Sequence, residues 1–426
     1  MRTTSAANSA IRFGTDGVRG PAGTWPLTAE GAQIIGHGVG LWAQRFQTTP
    51  VVVVGRDTRE SGDWIAQAVE QGLLASGASV LHGGIMPTAA VSCAVVHHKA
   101  QAGIMVTASH NPWQDNGLKV LGPDGRKPSD AKEIEAFFAN QNTQRPHASP
   151  GRTIADPTAP WRAGMPQVDL SGWRILLDCA HGAAAPHAPE LLRSLGAHVI
   201  ERGCQPDGRN INDGVGAMCP PSAELVRETN AHIGICLDGD ADRLMLVHPM
   251  VGLLDGDDIL WMLSRDGSGP VVGTIMTNGG LEAALGTRLV RTSVGDHHVA
   301  RGMIEHGAQF GAETSGHVLF RTGLPTGDGL FAALSILSLH DGGPDAPIDA
   351  SGWTRWTQAH KNVKLLGEKR PLATLTSPAA ATSAGNRVVV RYSGTEPVVR
   401  IMVEGTGTGT ASPDAWAERI AEEFSQ

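Results

Sequence analysis

Four polar loops of this 426-residue chain hold residue types that could bind and move a phosphate group. The first is Thr107-Ala108-Ser109-His110-Asn111-Pro112, directly after the apolar run 103–106. A strand that runs into Ser-His-Asn-Pro must turn, because the residue before a proline avoids the helical region. The turn presents the Ser109 hydroxyl at a strand terminus, where ligand sites of α/β sheets form. A lone serine on a turn ordinarily does no more than hydrogen-bond; the neighbouring loops change that weighting. The second loop, Asp238-Gly239-Asp240-Ala241-Asp242-Arg243, follows the apolar run 233–237. Three carboxylates at alternate positions can converge on one point. Two such charges about 4 Å apart repel by ~1 kcal/mol in water and ~4 kcal/mol at an effective dielectric of about 20. Such a cluster at a strand end calls for a cation, and all-oxygen ligands suit a hard ion, Mg²⁺ or Ca²⁺. An EF-hand is excluded, because Arg243 and Pro249 stand where that loop requires Gly and Glu. A solvated acidic turn is the plainer alternative.

The third loop, Gly311-Ala312-Glu313-Thr314-Ser315-Gly316-His317, offers a carboxylate, hydroxyls and an imidazole between glycines that allow close approach of a ligand. That set suits sugar hydroxyls, and an ordinary polar loop would look the same. The fourth, Arg391-Tyr392-Ser393-Gly394-Thr395-Glu396-Pro397 with Arg400 following, joins hydroxyls, backbone N–H groups around a glycine and two guanidinium forks. These are the parts of a phosphate clamp; the alternative is a hairpin turn with incidental arginines.

The elements that must position these loops share one grammar: apolar strand, polar or Gly loop, amphipathic helix, break, second strand. It occurs as strand 51–54, helix 62–75 and strand 80–81, and again as strand 175–177, helix 189–195 and strand 199–200. A weaker copy has strand 271–275, the loop Thr277-Asn278-Gly279-Gly280, a helix from Leu281 and strand 289–290. Continuous apolar strands alternating with helices argue for parallel sheets covered on both faces. The C-terminal stretch differs, with strands 388–391 and 398–403 around the Ser393-Gly394-Thr395 turn and a closing helix 413–424. It reads as a small α+β domain. Residues 140–160, rich in Pro, Thr and Ala, read as a linker, and the Gly/Thr alternation at 405–410 as a loop. The domains expected are 1–152, 153–252, 253–360 and 361–426.

Composition narrows the function classes. The formal charge is −8, from 34 basic and 42 acidic residues. That disfavours nucleic acid as the main partner, which calls for a basic face, while a few local arginines can still hold one phosphate. The five cysteines lack CxxC spacing and read as reduced thiols, neither a disulfide frame nor a zinc site. No apolar run reaches membrane-spanning length and the N-terminus lacks a signal-like apolar stretch, so a cytoplasmic protein without a membrane partner is expected.

Taken in order, the four loops resemble the α-D-phosphohexomutase superfamily, from Phe13-Gly14-Thr15-Asp16-Gly17-Val18-Arg19-Gly20 to Arg400. Within it the chain is similar to the bacterial phosphoglucosamine mutase branch. The Phe13–Gly20 opening, Asp178-Cys179-Ala180-His181-Gly182-Ala183-Ala184, Asn210-Ile211-Asn212-Asp213-Gly214 and Met276-Thr277-Asn278-Gly279-Gly280-Leu281-Glu282 carry that narrower likeness. The resemblance implies an α/β fold of four domains around a central cleft. Three would be related α/β domains with mixed, mainly parallel sheets, and the fourth a small C-terminal α+β domain. It implies interconversion of glucosamine 6-phosphate and glucosamine 1-phosphate, feeding UDP-N-acetylglucosamine and peptidoglycan, through a glucosamine 1,6-bisphosphate intermediate or activator. Ser109 would carry the transferable phosphate, and one Mg²⁺ would be held by it with Asp238, Asp240 and Asp242. Arg19, His110 and Arg243 would act beside the phosphoryl group, and Lys119 in proton transfer. Glu313 and Ser315 would read the sugar with His317 nearby, while Arg391, Ser393, Gly394, Thr395 and Arg400 would grip the non-reacting phosphate. A phosphosugar is the expected partner, with an activating kinase and a homodimer as further candidates.

The chain departs from the pattern at His297-His298, where this branch usually reads Arg-Tyr, at Ala217-Met218-Cys219-Pro220, and at Thr314. The lost Arg bears on the glucosamine assignment more than on mutase activity. Phosphomannomutase/phosphoglucomutase is the alternative in the same superfamily. A metal-dependent phosphohydrolase with an aspartyl nucleophile would leave Ser109 and the Arg391 loop unexplained. A non-catalytic phosphosugar binder would require that the departures had disabled turnover.

Overall fold

Each anticipated strand–helix–strand unit forms. Strand Val51–Arg56, helix Gly62–Ser76 and strand Ser79–Ile85 make the first; Arg174–Asp178, Ala188–Ser194 and His198–Arg202 the second; Val271–Thr274, Gly279–Leu285 and Leu289–Thr292 the third. The structure, a computed structural model, describes residues 11–14, 17–128, 132–139, 151–265, 267–340, 342–344, 346, 348, 352–365, 371–392, 398–406 and 411–424. The chain divides into two compact units, Met1–Ile259 with Ser315–Ile348, and Leu260–Thr314 with Asp349–Gln426.

The first unit holds two mixed sheets. One runs Val18–Pro21, Asp115–Leu121, Ala102–Val106, Val51–Arg56, Ser79–Ile85, Arg152–Thr153. Its first two pairings are antiparallel and the rest parallel. The central parallel strands, Val51–Arg56 and Ala102–Val106, are mainly apolar because both faces are covered: Val52, Val53, Ala102 and Ile104 have no exposed surface. The second sheet runs Gly252–Leu254, Leu244–His248, Ile233–Leu237, Arg174–Asp178, His198–Arg202, antiparallel then parallel. In both sheets the loops that carry Ser109 and the aspartates leave the C-terminal ends of parallel strands.

The linker expected over 140–160 is shorter than that. Residues 140–150 lie outside the described residues, but Arg152–Thr153 pair parallel with the outer strand Ser79–Ile85. An open sheet edge presents unpaired N–H and C=O groups, and these two residues cover its middle, opposite Leu81 and His82. Ala159–Ala163 then forms a helical turn that buries Trp161 completely. The Trp161 indole donates to Asp328 Oδ2 at 2.8 Å, while Asp328 Oδ1 caps helix Gly329–Ser338 by accepting from Phe331 N at 2.7 Å.

In the second unit, Leu289–Thr292, Val271–Thr274 and Phe310–Ala312 are parallel, with helix Asp296–His306 packed on them. Thr357–Lys364, Val398–Gly405 and Arg387–Tyr392 form an antiparallel sheet. Helix Pro413–Glu422 covers one face, burying Ala359, Val399, Ile401, Val403, Trp416 and Ile420. This is the α+β arrangement expected. Near the end of its central strand lies Glu404, which has no exposed surface. Glu404 pairs with Arg387, accepts from Gln358 Nε2, and accepts from Gly279 N at 2.9 Å. Arg387 in turn donates to the carbonyls of Ile275 at 2.6 Å and Thr277 at 2.9 Å. Asn278 and Trp356 exchange two further bonds of 3.0 Å. The Met276–Gly280 turn is thereby bolted to the C-terminal sheet. All five cysteines are free, three of them buried. Among the described residues no helix is long and apolar enough to cross a membrane.

Burial pushes the Asp328 carboxyl up to about 6, from an ordinary 3.8, against the pull of its donors. Because the folded value lies above the unfolded one, its stabilising contribution is full below pH 3.8 and is lost as pH rises through about 6. Asp328→Asn keeps the cap acceptor, loses the indole bond at every pH, and removes the ionisation. Its stability relative to the parent is expected to improve across that window by up to roughly 3 kcal/mol, at ~1.4 kcal/mol per pH unit. Denaturant melts at steps of pH check this; a difference flat in pH would exclude the buried ionisation.

Candidate active site

The loop after Ile233–Leu237 turns tightly through Ala241, at φ 62°. The turn buries Asp238, Asp240 and Asp242 and brings one carboxylate oxygen of each within 4.8 Å of the others. Lys119, from the antiparallel strand Asp115–Leu121, sets its Nζ 2.6 Å from Asp240 Oδ2 and 2.8 Å from Asp242 Oδ2. Thr88 Oγ1 also donates to Asp240 Oδ2, and His317 Nδ1 lies 3.7 Å from Asp242 Oδ1. Burial raises and Lys119, His317 and Arg243 lower the Asp242 carboxyl, which ends well below the usual range. Asp238 goes the other way: burial and the neighbouring Asp242 and Asp240 charges push it up to about 7. Asp240 Oδ1 is buried with no protein partner among the described residues. Three hard oxygen donors, short of positive charge and with an orphaned oxygen among them, fit a small divalent cation.

Ser109 lies at the edge of this cluster, its Oγ donating to Asp238 Oδ2 at 2.6 Å. The serine holds φ 51°, a left-handed conformation that costs an ordinary residue about 1–2 kcal/mol. Its surroundings impose it. Ser109 N donates to Thr107 Oγ1 at 2.9 Å, and the Ser109 carbonyl accepts from Arg59 and from Asn212 Nδ2, both at 2.9 Å. Arg59 is 1% exposed and divides its arms between Asp57 and this loop. Nε pairs with Asp57 at 2.8 Å; the two terminal nitrogens reach the carbonyls of Ser109, Asn111, Pro112 and Asp115. Burial raises the Asp57 carboxyl, with Arg59 and Thr107 pulling against it. The two loops stack backbone on backbone: a Cβ on Gly239 would lie 2.5 Å from the Ser109 carbonyl oxygen, and one on Gly182 2.3 Å from the Gly239 oxygen.

The structure brings most of the sequence-derived residues together here. Ser109, His110, Lys119, Arg243, Asp238, Asp240, Asp242 and His317 share one neighbourhood; Arg243 N donates to Asp238 Oδ1 at 3.2 Å and Arg243 bridges to His317. Arg19 reaches Asn111 Oδ1 at 3.5 Å. His110 Nδ1 is 3.4 Å from Ser109 Oγ. Burial and the charges of Arg243 and Arg19 lower the His110 imidazole to about 4, so it is neutral at pH 7. Ser315 is half-buried two residues before His317. In the second unit, Glu313 accepts from Gly295 N at 2.9 Å, and Arg391 and Arg400 are directly opposed across two strands. Ser393, Gly394 and Thr395 lie outside the described residues. Arg59, Asp57 and Thr88 were given no role by sequence reasoning, and Asn212 entered only within the Asn210–Gly214 stretch of the family likeness. Asp57 and Arg59, two residues apart after an apolar strand, were the available signal; nothing local marked Thr88.

Four family models match in chain order: phosphoglucomutase/phosphomannomutase alpha/beta/alpha domain I over residues 10–145, domain II over 162–250, domain III over 255–346, and the C-terminal domain over 372–426. Among curated proteins, the chain is 38% identical over 459 residues to a phosphoglucosamine mutase of Anaeromyxobacter sp. (strain Fw109-5), spanning 99% of this chain and 97% of that one. It is 42% identical over 424 residues to a phosphoglucosamine mutase of Caulobacter vibrioides, spanning 92% and 94%. A solved phosphoglucomutase/phosphomannomutase family protein from Burkholderia thailandensis has the same fold, with a TM-score of 0.72 at 24% identity over 96% of each chain.

If Arg59 holds the Ser109 loop, Arg59→Met leaves Asp57 buried and unpaired, a change that costs about 3–5 kcal/mol. Chemical denaturation reads that loss. Amide exchange should quicken at 107–115 beyond the rest of the first unit, and uniform exchange would show that Arg59 supports the fold without holding the loop.

Proposed function

Because this chain belongs to the phosphoglucomutase/phosphomannomutase family, we propose that it is a phosphosugar mutase acting on glucosamine 6-phosphate and glucosamine 1-phosphate. The observation that carries the mechanism is the Ser109 hydroxyl hydrogen-bonded at 2.6 Å into the buried aspartate cluster. Near-full-length likeness to phosphoglucosamine mutases supports the choice of sugar.

In the proposed cycle the bond between phosphorus and Ser109 Oγ breaks as one forms to a sugar hydroxyl oxygen, and the hydroxyl proton leaves to a base. The product is a sugar bisphosphate. It returns its other phosphate to Ser109 with the same bonds exchanged in reverse. Little covalent help is needed beyond position and charge neutralisation. Asp238, Asp240 and Asp242 would hold one Mg²⁺ together with the Ser109 phosphate, and that ion would supply charge neutralisation for the transferred group. Lys119, whose ammonium pairs with Asp240 and Asp242, would relay the proton. Arg19 and Arg243 bracket the Ser109 loop with positive charge, and the neutral His110 ring adds a donor or acceptor without further charge. Ser315 and His317 follow the metal loop and would read the sugar with Glu313; Arg391, Ser393, Gly394, Thr395 and Arg400 would grip the phosphate that is not reacting. The domains proposed for these roles are 1–152, 153–252, 253–360 and 361–426. At the unusual His297-His298 pair, the two ring centroids lie 4.0 Å apart with the planes tilted by 40°, beside Gly295, whose N–H binds Glu313.

Purified protein is expected to carry phosphate on Ser109, and Ser109→Ala to lose on the order of 10³-fold or more in kcat, the scale seen when a nucleophile is removed. Peptide mapping and a coupled assay on glucosamine 6-phosphate, glucose 1-phosphate and mannose 1-phosphate test this. Phosphate mapped to Asp238 with Ser109→Ala active would point to a phosphohydrolase.

Chelation by EDTA should abolish turnover and Mg²⁺ restore it, with Asp240→Asn demanding more Mg²⁺ for half-maximal rate. Full activity in a rigorously chelated sample would remove the metal from the reading.

A further inference from the structure

The face of the C-terminal sheet opposite its helix carries polar side chains in register. Arg400, on the central strand Val398–Gly405, is opposed by Arg391 on one side and by Asn362 on the other. Directly opposed side chains in antiparallel strands stand about 5 Å apart at Cβ, where like charges repel. An anion lying between or above the two guanidiniums would relieve that repulsion. Burial and the Arg400 charge both lower the Arg391 pKa, with Glu313 acting in the other direction. Asn362, His360, Arg391 and Arg400 line one cavity of about 190 Å³, with Met402 and Met276 among its apolar walls. That is several times the volume of a water molecule. Strand alternation explains the aim of the first two: Ala359 and Val363 pack into the helix-covered core, so His360 and Asn362 face the cavity. The strand Thr357–Lys364 falls between the stretches matched by family models, 255–346 and 372–426.

We propose that Asn362 is a further phosphate-binding residue, its side-chain amide donating to the same phosphate that Arg391 and Arg400 grip. The inference rests on the clamp reading above. Two opposed guanidiniums already supply the charge; a third cation in the row would add repulsion. A neutral amide adds a donor from the third strand without it. A phosphate monoester has three terminal oxygens and can accept from all three strands at once. Asn362 is exposed, so substitutions there leave the core of the sheet untouched.

The test uses the full chain, steady-state kinetics on glucosamine 6-phosphate, and inorganic phosphate as a competing probe. Asn362→Asp puts an anion where the donor stood, and should raise KM and the phosphate Ki about tenfold or more, with kcat within about twofold. Asn362→Leu, which only deletes the amide, should raise both roughly three- to tenfold. Melting temperatures close to the parent value confirm that both variants fold. Arg391→Ala is run alongside. If it is impaired while Asn362→Asp keeps its KM and Ki, Asn362 has no place in the site and the clamp stands. If both are tolerated, the clamp reading falls and this inference with it. A loss in kcat alone, with the phosphate Ki unmoved, likewise overturns the binding role.

Discussion

The guanidinium of Arg59, shut away from water, holds four carbonyls of one loop and a carboxylate at the end of the neighbouring strand. Burying a charge is unfavourable unless pairing and hydrogen bonds compensate it, and here both the Asp57 ion pair and the loop carbonyls do so. The arrangement works in both directions. The loop gives the cation its acceptors, and the cation gives Ser109 a conformation it would not adopt alone. Take away the pair and no other contact among the described residues would hold the Ser109 carbonyl except Asn212.

The same trade recurs around the site. Seven described residues other than glycine have positive φ, and Ser109, Ala180, His181, Asn212 and Ala241 are five of them. Each sits on a loop that touches the serine or the aspartates: Asn212 N binds the Ala180 carbonyl, His181 takes the Thr58 hydroxyl, and Ala183 N binds Gly239. Strain of this kind persists where the surroundings over-determine it. The result is a pocket whose backbone is set before any ligand arrives. Its electrostatics are left incomplete, with Asp242 satisfied by Lys119 and Asp238 pushed up by its neighbours.

Much of this was legible in the sequence, for identifiable reasons. Strand ends announce themselves when an apolar run meets a polar turn, so Ser109 and the Asp238–Asp242 loop stood out, as did the three strand–helix–strand units. The antiparallel additions to each sheet, such as Leu244–His248, were not distinguished because pairing direction leaves little trace in a short apolar run. Arg59 was missed because a charged residue after a strand ordinarily faces water; only tertiary packing buries it. Thr88 and Lys119 meet at Asp240 from separate elements, an encounter that no spacing within one segment encodes. Arg152–Thr153 read as linker because two residues closing a sheet edge carry no periodicity at all.

The carboxylate of Glu404 has a different bearing, on how such a protein could be taken apart. The family models place a border between residues 346 and 372. Yet Gln358 and Trp356, inside that interval, close on Glu404 and Asn278, and Gly279 donates to Glu404 from the far side of it. The border that sequence comparison draws is thus not a mechanical seam. A C-terminal cassette transplanted from a relative would arrive with its acid and its arginine but without the turn they were fitted to. Recombination would succeed only if the Met276–Gly280 turn travelled with it, so these two stretches of chain form a single unit of inheritance.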